Sequence, residues 1–274
     1  NHPILSNPDT APTEGIDVVI SESTYGDRKH ETPEELFAEE LNAAFKRGGT
    51  VLIPAFAVDR TEVILMKLRE LIESKQIPNV PIYVDSPMAL TALDYYREAI
   101  TSESHEIREN IHEQFHDQDP FDTGQLYQMR TTEDSIKIND VEGNAIIISA
   151  SGMATGGRVV HHLQQLLPDP KNTIMLVGFQ AAGTRGRSLE EGQKQLKMYG
   201  QWIPVNAHIA KVGSFSVHAD ATELVDWLKP IPRPQQVFVV HGEPDGQRGL
   251  KERLENQLGW YVTIPKSGQV FTIN

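Results

Sequence analysis

Short apolar runs alternate along the chain with longer amphipathic stretches. The runs are rich in β-branched side chains and predict buried strands at residues 18–21, 50–53, 82–84, 145–149 and 174–177. Between them, apolar side chains recur three and four positions apart, which predicts helices over residues 61–74, 88–115 and 158–167. This βαβα order favours an α/β fold, a mostly parallel sheet with helices on both faces.

The first helix has its own start and stop signals. Thr32-Pro-Glu-Glu35 provides an N-cap, a proline at the first helical position and a capping-box glutamate. Apolar Leu36, Phe37 and Leu41 follow at helical spacing, and Gly48-Gly49 ends the pattern. The sequence therefore predicts a helix between the strands at 18–21 and 50–53.

The pattern changes in two places. Residues 117–140 lack clean periodicity and contain Gly and Pro, which predicts an irregular insertion. From residue 203 onward the elements become shorter. The expected strands are 205–212, 237–240 and 270–273, and the expected helices are 221–229 and 247–258.

Composition bounds the chemistry. The 274 residues can bury a substantial core, and no apolar run reaches the roughly 18 residues needed to span a bilayer. Because there is no cysteine, disulfides, thiolate zinc ligands and a cysteine nucleophile are excluded. A net charge of −13 disfavours nonspecific clamping of nucleic acid. We expect a cytoplasmic protein, and the missing initiator methionine predicts a piece of a longer chain.

Two histidines and an acid follow separate strand-like segments. His218 lies in Gly213-Ser-Phe-Ser-Val-His-Ala-Asp220, His241 follows the apolar run Val237-Phe-Val-Val240, and Glu22 ends the run that begins at Asp17. Strand ends fix the direction of the side chains that leave them, and metal-assisted hydrolysis draws on such a set. The chain contains no His-x-His cluster, so an ion served by these groups would lack most of its ligands.

Glycines, hydroxyls and arginines follow several of the other predicted strands. Ala150-Ser-Gly-Met-Ala-Thr-Gly-Gly-Arg158 leads from a strand into a helix, where exposed amides can bind a phosphate. A plain tight turn explains the same residues, the arginines can be salt-bridged, and the hydroxyls can cap the helix. The candidate substrate-binding residues are Arg60, Ser149, Ser151, Gly152, Thr155, Gly156, Gly157, Arg158, Thr184 and Arg185.

Seven segments occur in the order of a known motif series. They are Glu22-Ser-Thr-Tyr-Gly26, Pro54-Ala-Phe-Ala57, Asp85-Ser-Pro-Met88, Ser151-Gly-Met-x-x-Gly-Gly157, Gly178-Phe-Gln-x-x-Gly-Thr184, Phe215-Ser-x-His-Ala-Asp220 and Val240-His-Gly-Glu243. The series resembles the β-CASP branch of the metallo-β-lactamase superfamily, which includes ribonuclease J and the endonuclease subunit of the cleavage and polyadenylation factor. The resemblance spans about residues 15 to 245.

The resemblance implies a role for each of the three candidate catalytic residues. Glu22, His218 and His241 stand at the positions of motifs A, B and C. In such enzymes the motif C histidine ligates one of two zinc ions, the motif B histidine protonates the leaving oxygen, and the motif A acid orients it. The family's His-x-His-x-Asp-His segment precedes Asn1, so we expect this chain not to retain a two-zinc site.

The resemblance also implies a fold and a domain order. Residues 1–28 are expected to be a first piece of the metallo-β-lactamase part, 29–207 a Rossmann-like β-CASP domain, and 208–274 the C-terminal strands and helices of the αββα lactamase domain. The expected partners are RNA, single-stranded nucleic acid more generally, and the missing N-terminal lactamase segment. A homodimer stays open.

Three functions compete at this point. The first is part of a zinc-dependent ribonuclease, in which this chain supplies an RNA-clamping β-CASP domain and the acid-side catalytic residues and is inactive alone. The second is a non-catalytic RNA-binding or scaffold subunit, which would have no need of Glu22, His218 and His241 together. The third, a Rossmann-like nucleotide-binding enzyme, fits poorly because no Gly-x-Gly-x-x-Gly opens the first βα turn.

Overall fold

The computed structural model describes residues 2–29 and 35–273. The chain divides into two compact units. Unit 1 comprises Asn1–Asn7 and Thr32–Val217, and unit 2 comprises Pro8–Glu31 and His218–Asn274. The helices in the described ranges are all too short or too polar to cross a membrane.

Strands and helices alternate through most of the described residues. The strands are β1 (Val18–Ser21), β2 (Thr50–Pro54), β3 (Ile82–Val84), β4 (Leu126–Gln128), β5 (Ala145–Ser149), β6 (Thr173–Leu176), β7 (Gln195–Met198), β8 (Gln201–Pro204), β9 (His208–Lys211), β10 (Gln236–Val239) and β11 (Val262–Thr263). The α-helices are α1 (Glu35–Arg47), α2 (Arg60–Glu73), α3 (Pro87–Thr101), α4 (Glu109–Gln114), α5 (Thr132–Lys137), α6 (Arg158–Leu166), α7 (Arg185–Glu190), α8 (Ala221–Leu228) and α9 (Pro244–Leu258).

Unit 1 is built on a six-stranded sheet in the order β4-β3-β5-β2-β6-β9, with every neighbouring pair parallel. Central strand β2 is buried along its whole length. Its alternate side chains enter different clusters: Val51 and Ile53 join one apolar core, and Leu52 joins a second. Because successive side chains of a strand point to opposite faces, both faces of the sheet are covered. This confirms the predicted α/β class.

Unit 2 contains a smaller parallel sheet in the order β1-β10-β11. Val19 of β1 and Val237 of β10 are buried in the same apolar cluster as Val225 of α8 and Leu250 of α9. Parallel pairing places the carboxyl ends of β1 and β10 at the same edge of the sheet. That edge carries the residues that follow each strand.

Several element predictions need correction. The helix predicted over 88–115 is two helices, because α3 ends at Thr101 and Glu103 adopts a left-handed φ of 52°. The segment 117–140 is not wholly irregular, since Thr131 begins α5 with a complete capping box. The predicted strand at 270–273 is absent from the described residues, and β11 lies at Val262–Thr263 instead.

The start signal of the first helix and the domain boundaries have other outcomes. Residues 32–34 lie outside the described ranges, and α1 is described from Glu35 onward. Strand β9 pairs with β6 in the large sheet, and unit 1 runs to Val217, ten residues beyond the predicted end of the β-CASP domain. The assignment of residues 1–28, 29–207 and 208–274 to domains stays a prediction.

Candidate active site

The three predicted catalytic residues come together within unit 2. Glu22 follows β1, His241 lies just beyond β10, and His218 lies in the loop before α8. One potential ligand atom from each lies within 4.8 Å of the others. Since β1 and β10 are parallel neighbours, their carboxyl ends bring Glu22 and His241 to one edge of the sheet. The structure therefore assembles the three groups into one constellation.

Glu22 and His218 form the closest pair in this constellation. His218 Nδ1 lies 3.1 Å from Glu22 Oε1, and His241 Nδ1 lies 3.9 Å from Glu22 Oε2. The two imidazole rings are 5.5 Å apart between centroids and inclined at 32°. A carboxylate accepts hydrogen bonds, so the pairing places a proton on His218 Nδ1 and makes Nε2 the ring atom that gains or loses one.

The charge state of Glu22 follows from its donors. Burial acts to raise the pKa of Glu22, but hydrogen bonds from His218 and Thr24 outweigh burial and lower the pKa to about 2. The carboxylate is therefore ionised at neutral pH. An ionised Glu22 can hold the ring of His218 in one orientation and stabilise it when it carries a second proton.

Thr24 connects all three residues. Its backbone N–H donates to Glu22 Oε2 at 3.0 Å, and its hydroxyl oxygen lies 3.5 Å from His218 Nδ1 and 3.3 Å from His241 Nδ1. The side chain is buried, with 7% of its surface exposed. Sequence reasoning did not select Thr24, although it stands two residues after Glu22 in the same motif. Its contacts make it the centre of the constellation.

Close backbone packing fixes the loop that carries His241. Ser23 donates from its hydroxyl to Val240 O at 2.8 Å and from its N–H to His241 O at 3.2 Å. A Cβ atom on Gly242 would lie 2.4 Å from Ser23 Oγ, so this position requires glycine. His241 itself has a left-handed φ of 47°. Tight packing against the motif A turn thus sets the direction of the His241 side chain.

The start of α8 fixes His218. Asp220 Oδ1 accepts from the N–H groups of Thr222 at 2.7 Å and Glu223 at 3.0 Å, and Glu223 Oε2 accepts from Asp220 N–H at 3.0 Å. This reciprocal capping box anchors the residue two positions after His218. Tyr25 of the motif A turn also forms a backbone bridge with Asp220. The loop before α8 is therefore held beside Glu22.

The donor set offers zinc ligands, and His241 is the one that the hydrogen bond between Glu22 and His218 leaves available. Zinc is bound by imidazole nitrogens and carboxylate oxygens, and a catalytic zinc usually has three protein ligands. Glu22, His218 and His241 are the only such group among the described residues. A second ion would need more donors than these three. His241 has the most accessible side chain of the three, with 68% of its surface exposed.

Some of the predicted substrate-binding residues lie inside unit 1. The Arg60 residue is 2% exposed, its Nε donates to Phe215 O at 2.9 Å, and its guanidinium lies over the Phe56 ring. A Cβ atom on Gly178 would lie 1.9 Å from Arg60 Nη1, so that glycine makes room for the guanidinium. In this conformation a phosphate cannot reach Arg60, and its contacts hold the interior of the fold. Gly152 is also buried, against Phe56.

Ser149 and Arg158 belong to a buried network around Asp85. Ser149 Oγ donates to Asp85 O at 3.0 Å, and Arg158 Nη1 donates to Asp85 Oδ1 at 2.8 Å. His162 Nε2 lies 2.6 Å from Asp85 Oδ2, which also accepts from Ser135 Oγ at 2.7 Å. Burial raises the pKa of Asp85, but hydrogen bonds from His162, Ser135 and Arg158 lower it overall. Arg158 is therefore salt-bridged within the fold, which is the alternative to phosphate contact that the sequence left open.

The glycine-rich turn before α6 stays accessible. Thr155, Gly156 and Gly157 are exposed, and the Ser151 hydroxyl accepts from Thr155 N–H at 3.1 Å. Arg185 Nη1 donates to Thr155 O at 2.9 Å. The Thr184 hydroxyl caps α7 by accepting from Arg187 N–H at 3.1 Å. Contact of these residues with substrate stays a prediction. Of the predicted substrate-binding residues, those of the glycine-rich turn are the ones that a phosphate can reach.

Two family models match parts of this chain. Residues 61–189 match the Beta-Casp domain, and residues 202–265 match a model described as a Zn-dependent metallo-hydrolase RNA specificity domain. A parallel α/β unit, with a histidine and carboxylate site at the edge of a second sheet, defines the class as a metallo-hydrolase fold. The chain belongs to the β-CASP family of the metallo-β-lactamase superfamily, as the motif series predicted.

Three relatives show how much of the family chain is represented. Ribonuclease TTHA0252 of Thermus thermophilus is 37% identical over 270 residues, covering 97% of this chain and 60% of the relative. The RNase J-like protein of Methanocaldococcus jannaschii is 36% identical over 94% of this chain and 59% of its own length. The transcription termination factor FttA of Pyrococcus horikoshii is 33% identical over 96% of this chain and 42% of its own. The chain therefore spans about 60% or less of these relatives.

Proposed function

We propose that this chain is part of a zinc-dependent ribonuclease that hydrolyses RNA phosphodiester bonds. It supplies the domain that clamps the RNA and the catalytic residues that donate a proton to the leaving oxygen. The observation that carries the proposal is the approach of Glu22 to His218, 3.1 Å apart, beside His241. A relative named as a ribonuclease and a matched domain described as Zn-dependent and RNA-specific support the choice of metal and substrate. We also propose that the chain is inactive alone, because these three residues offer too few ligands for the two ions that the family resemblance implies.

The roles of the residues follow from their geometry. His241 would hold the ion, because its ring is the most exposed of the three. Bound zinc supplies a Lewis acid that polarises the phosphoryl group. Glu22 holds the Nδ1–H of His218, and His218 Nε2 donates a proton to the leaving oxygen. Thr24 positions the carboxylate of Glu22 with its N–H and contacts both imidazole rings with its hydroxyl.

The proposal is tested by removing the proton donor. In the zinc-loaded full-length protein, His218→Ala should slow scission of end-labelled single-stranded RNA by about 100-fold. Zinc content, measured by atomic absorption, should remain that of the wild type because His241 is retained. His105→Ala is a matched control, since the His105 side chain is 92% exposed and pairs with the exposed neighbour Glu106. Scission by His218→Ala at the wild-type rate would exclude His218 as the acid.

A non-catalytic RNA-binding or scaffold role is the second candidate. The observation that favours it is the relative named as a transcription termination factor, which is aligned over 96% of this chain. A scaffold has no need of an ionised acid between two histidines, so we place it second. Glu22→Gln separates the two roles: a large loss of scission with intact RNA binding supports the nuclease, and no RNA scission by the wild type supports the scaffold.

A further inference from the structure

Charge is distributed unevenly along this acidic chain. Residues 143–219 contain seven Lys and Arg residues but three Asp and Glu residues, so this segment carries +4 while the whole chain carries −13. Local positive charge can attract a polyanion that the molecule as a whole repels. The segment therefore contains more cations than its own acidic side chains can pair.

Ion pairs account for part of this positive charge. Arg158 is paired with Asp85, Arg187 with Glu190, and Lys211 with Glu190. Lys194 and Lys197 have no ion pair within the described ranges, and both are exposed. Lys194 directly precedes strand β7, and Lys197 lies within it; β7 and β8 form a β-hairpin.

The hairpin has one buried face and one exposed face. Tyr199 and Gly200 form its two-residue turn, with φ values of 47° and 82°, as tight hairpin turns require. Leu196, Met198 and Ile203 point into the second core of unit 1. Lys197 lies directly opposite Trp202, and both are exposed. Since paired residues of antiparallel strands share a face, a cation and an indole stand side by side in solvent.

Two aromatic side chains of the hairpin are open to solvent. Trp202 is 60% exposed and Tyr199 is 56% exposed. The Tyr199 ring stacks on His161 of α6, with centroids 4.7 Å apart and planes inclined at 23°, and its hydroxyl lies 2.9 Å from His161 Nε2. This contact orients the Tyr199 ring while leaving over half of the residue's surface exposed. An exposed aromatic ring with a lysine two positions away in the same hairpin is a surface on which unpaired bases can stack.

We propose that the exposed hairpin face, defined by Lys197, Tyr199 and Trp202, binds single-stranded RNA. Bases stack on the indole and phenol rings, the Lys197 ammonium group contacts a phosphate, and Lys194, exposed just before β7, adds positive charge at the base of the hairpin. The inference rests on the proposed function, which supplies RNA as the ligand, and adds a surface outside the predicted substrate-binding residues.

The hairpin face is linked to the accessible glycine-rich turn of the same unit. Arg185 donates from Nη1 to Thr155 O at 2.9 Å and from Nε to Lys197 O at 3.4 Å. One arginine thus joins the turn before α6 to the strand that carries Lys197. An RNA strand whose phosphate lies at the turn would meet the hairpin face next along the surface of unit 1.

Binding of a fluorescent oligouridylate, measured by anisotropy, tests the stacking contact. The full-length protein carries His218→Ala throughout, so that scission does not interfere. Trp202→Ala should weaken binding about tenfold, and Trp202→Phe, which keeps an aromatic face, should stay close to the background protein. Tyr95→Ala is the matched control, because Tyr95 is 67% exposed on α3 of the same unit and lies next to acidic Asp94.

The lysines are tested by salt dependence. Lys197→Gln should weaken binding and reduce the slope of log affinity against log salt by about one, whereas Lys75→Gln, at another exposed lysine of unit 1, should leave the slope unchanged. If the background protein binds RNA and Trp202→Ala binds it equally well, the hairpin face is refuted and the ribonuclease proposal stands. If the background protein binds no RNA even at low salt, both proposals fail.

Discussion

Glu62 offers a direct test of how burial links pKa to stability, because it is a buried acid with no side-chain hydrogen-bond donor. It lies in the first turn of α2, is 0% exposed, and neither carboxyl oxygen has a hydrogen-bond partner among the described residues. Burial raises the pKa of Glu62 to about 8; backbone contacts of Glu62 and Asp59 oppose the rise only in part, and the charge of Asp59 adds to it. Glu62 is therefore protonated in the folded protein at neutral pH.

The sign of the pH dependence follows from this shift. Unfolded, the carboxyl group loses its proton near pH 4.5, and folded, it keeps the proton up to about pH 8. The contribution of Glu62 to stability is thus fully present below the unfolded pKa and is lost as pH rises through the folded pKa. At about 1.4 kcal/mol per pH unit, the free energy of unfolding should fall by about 2.5 kcal/mol between about pH 5 and about pH 7 from this group.

Glu62→Gln isolates this contribution, because glutamine has nearly the same shape and no titration. In urea unfolding followed by circular dichroism, the free energy of unfolding of the variant relative to the wild type should rise by about 2.5 kcal/mol between about pH 5 and about pH 7. Glu70→Gln is the control: Glu70 lies on the same helix with a side chain 61% exposed and should follow the wild-type pH profile. Parallel profiles for wild type and Glu62→Gln would refute a proton held by Glu62.

Two further predictions concern hydroxyl and carboxylate contacts. Thr24→Val should slow RNA scission by about tenfold, and Thr24→Ser, which keeps the hydroxyl, should retain the wild-type rate. The control is Thr222→Val, which removes a buried hydroxyl with no hydrogen-bond partner among the described residues and should leave scission unchanged. Equal rates for the two valine variants would contradict the role of Thr24. Asp85→Asn should lower the free energy of unfolding by about 3 kcal/mol, because Arg158 loses a buried counter-charge and His162 loses its carboxylate partner; a loss no larger than that of exposed Asp117→Asn would contradict it.

The sequence predicts those strands that are buried on both faces. Strands β2 and β5 are continuous apolar runs in the centre of the sheet, and their predicted positions agree with the structure within a residue. Edge strand β4 has three residues, none of them buried, so its pattern is too short to be distinguished from a loop. The β7–β8 hairpin was also missed, although Gln195-Leu-Lys-Met198 alternates with period two before a Tyr-Gly turn.

The candidate site was predictable to the extent that it lies in local motifs. Glu22, His218 and His241 follow strands or precede a helix, and their motif context selects them. The partners of other polar groups depend on sheet order, which brings together residues far apart in the chain. Asp85 and His162 are 77 positions apart, and Arg60 and Phe215 are 155 positions apart. No local pattern encodes these pairs, so Arg60 and Arg158 could not be recognised as internal from the sequence.

Two glutamates show why burial alone does not determine whether a carboxyl group is charged. Burial acts to raise the pKa of both Glu22 and Glu62, yet that of Glu22 falls to about 2 and that of Glu62 rises to about 8. The difference lies in the donors, because Glu22 receives hydrogen bonds from the side chain of His218 and from Thr24, whereas Glu62 has no side-chain donor and backbone contacts only partly offset its burial. His218 lies 196 positions from Glu22 in the chain. The parallel pairing of β1 with β10 and the capped start of α8 bring these groups together, so the fold determines that the acid of the candidate site is charged.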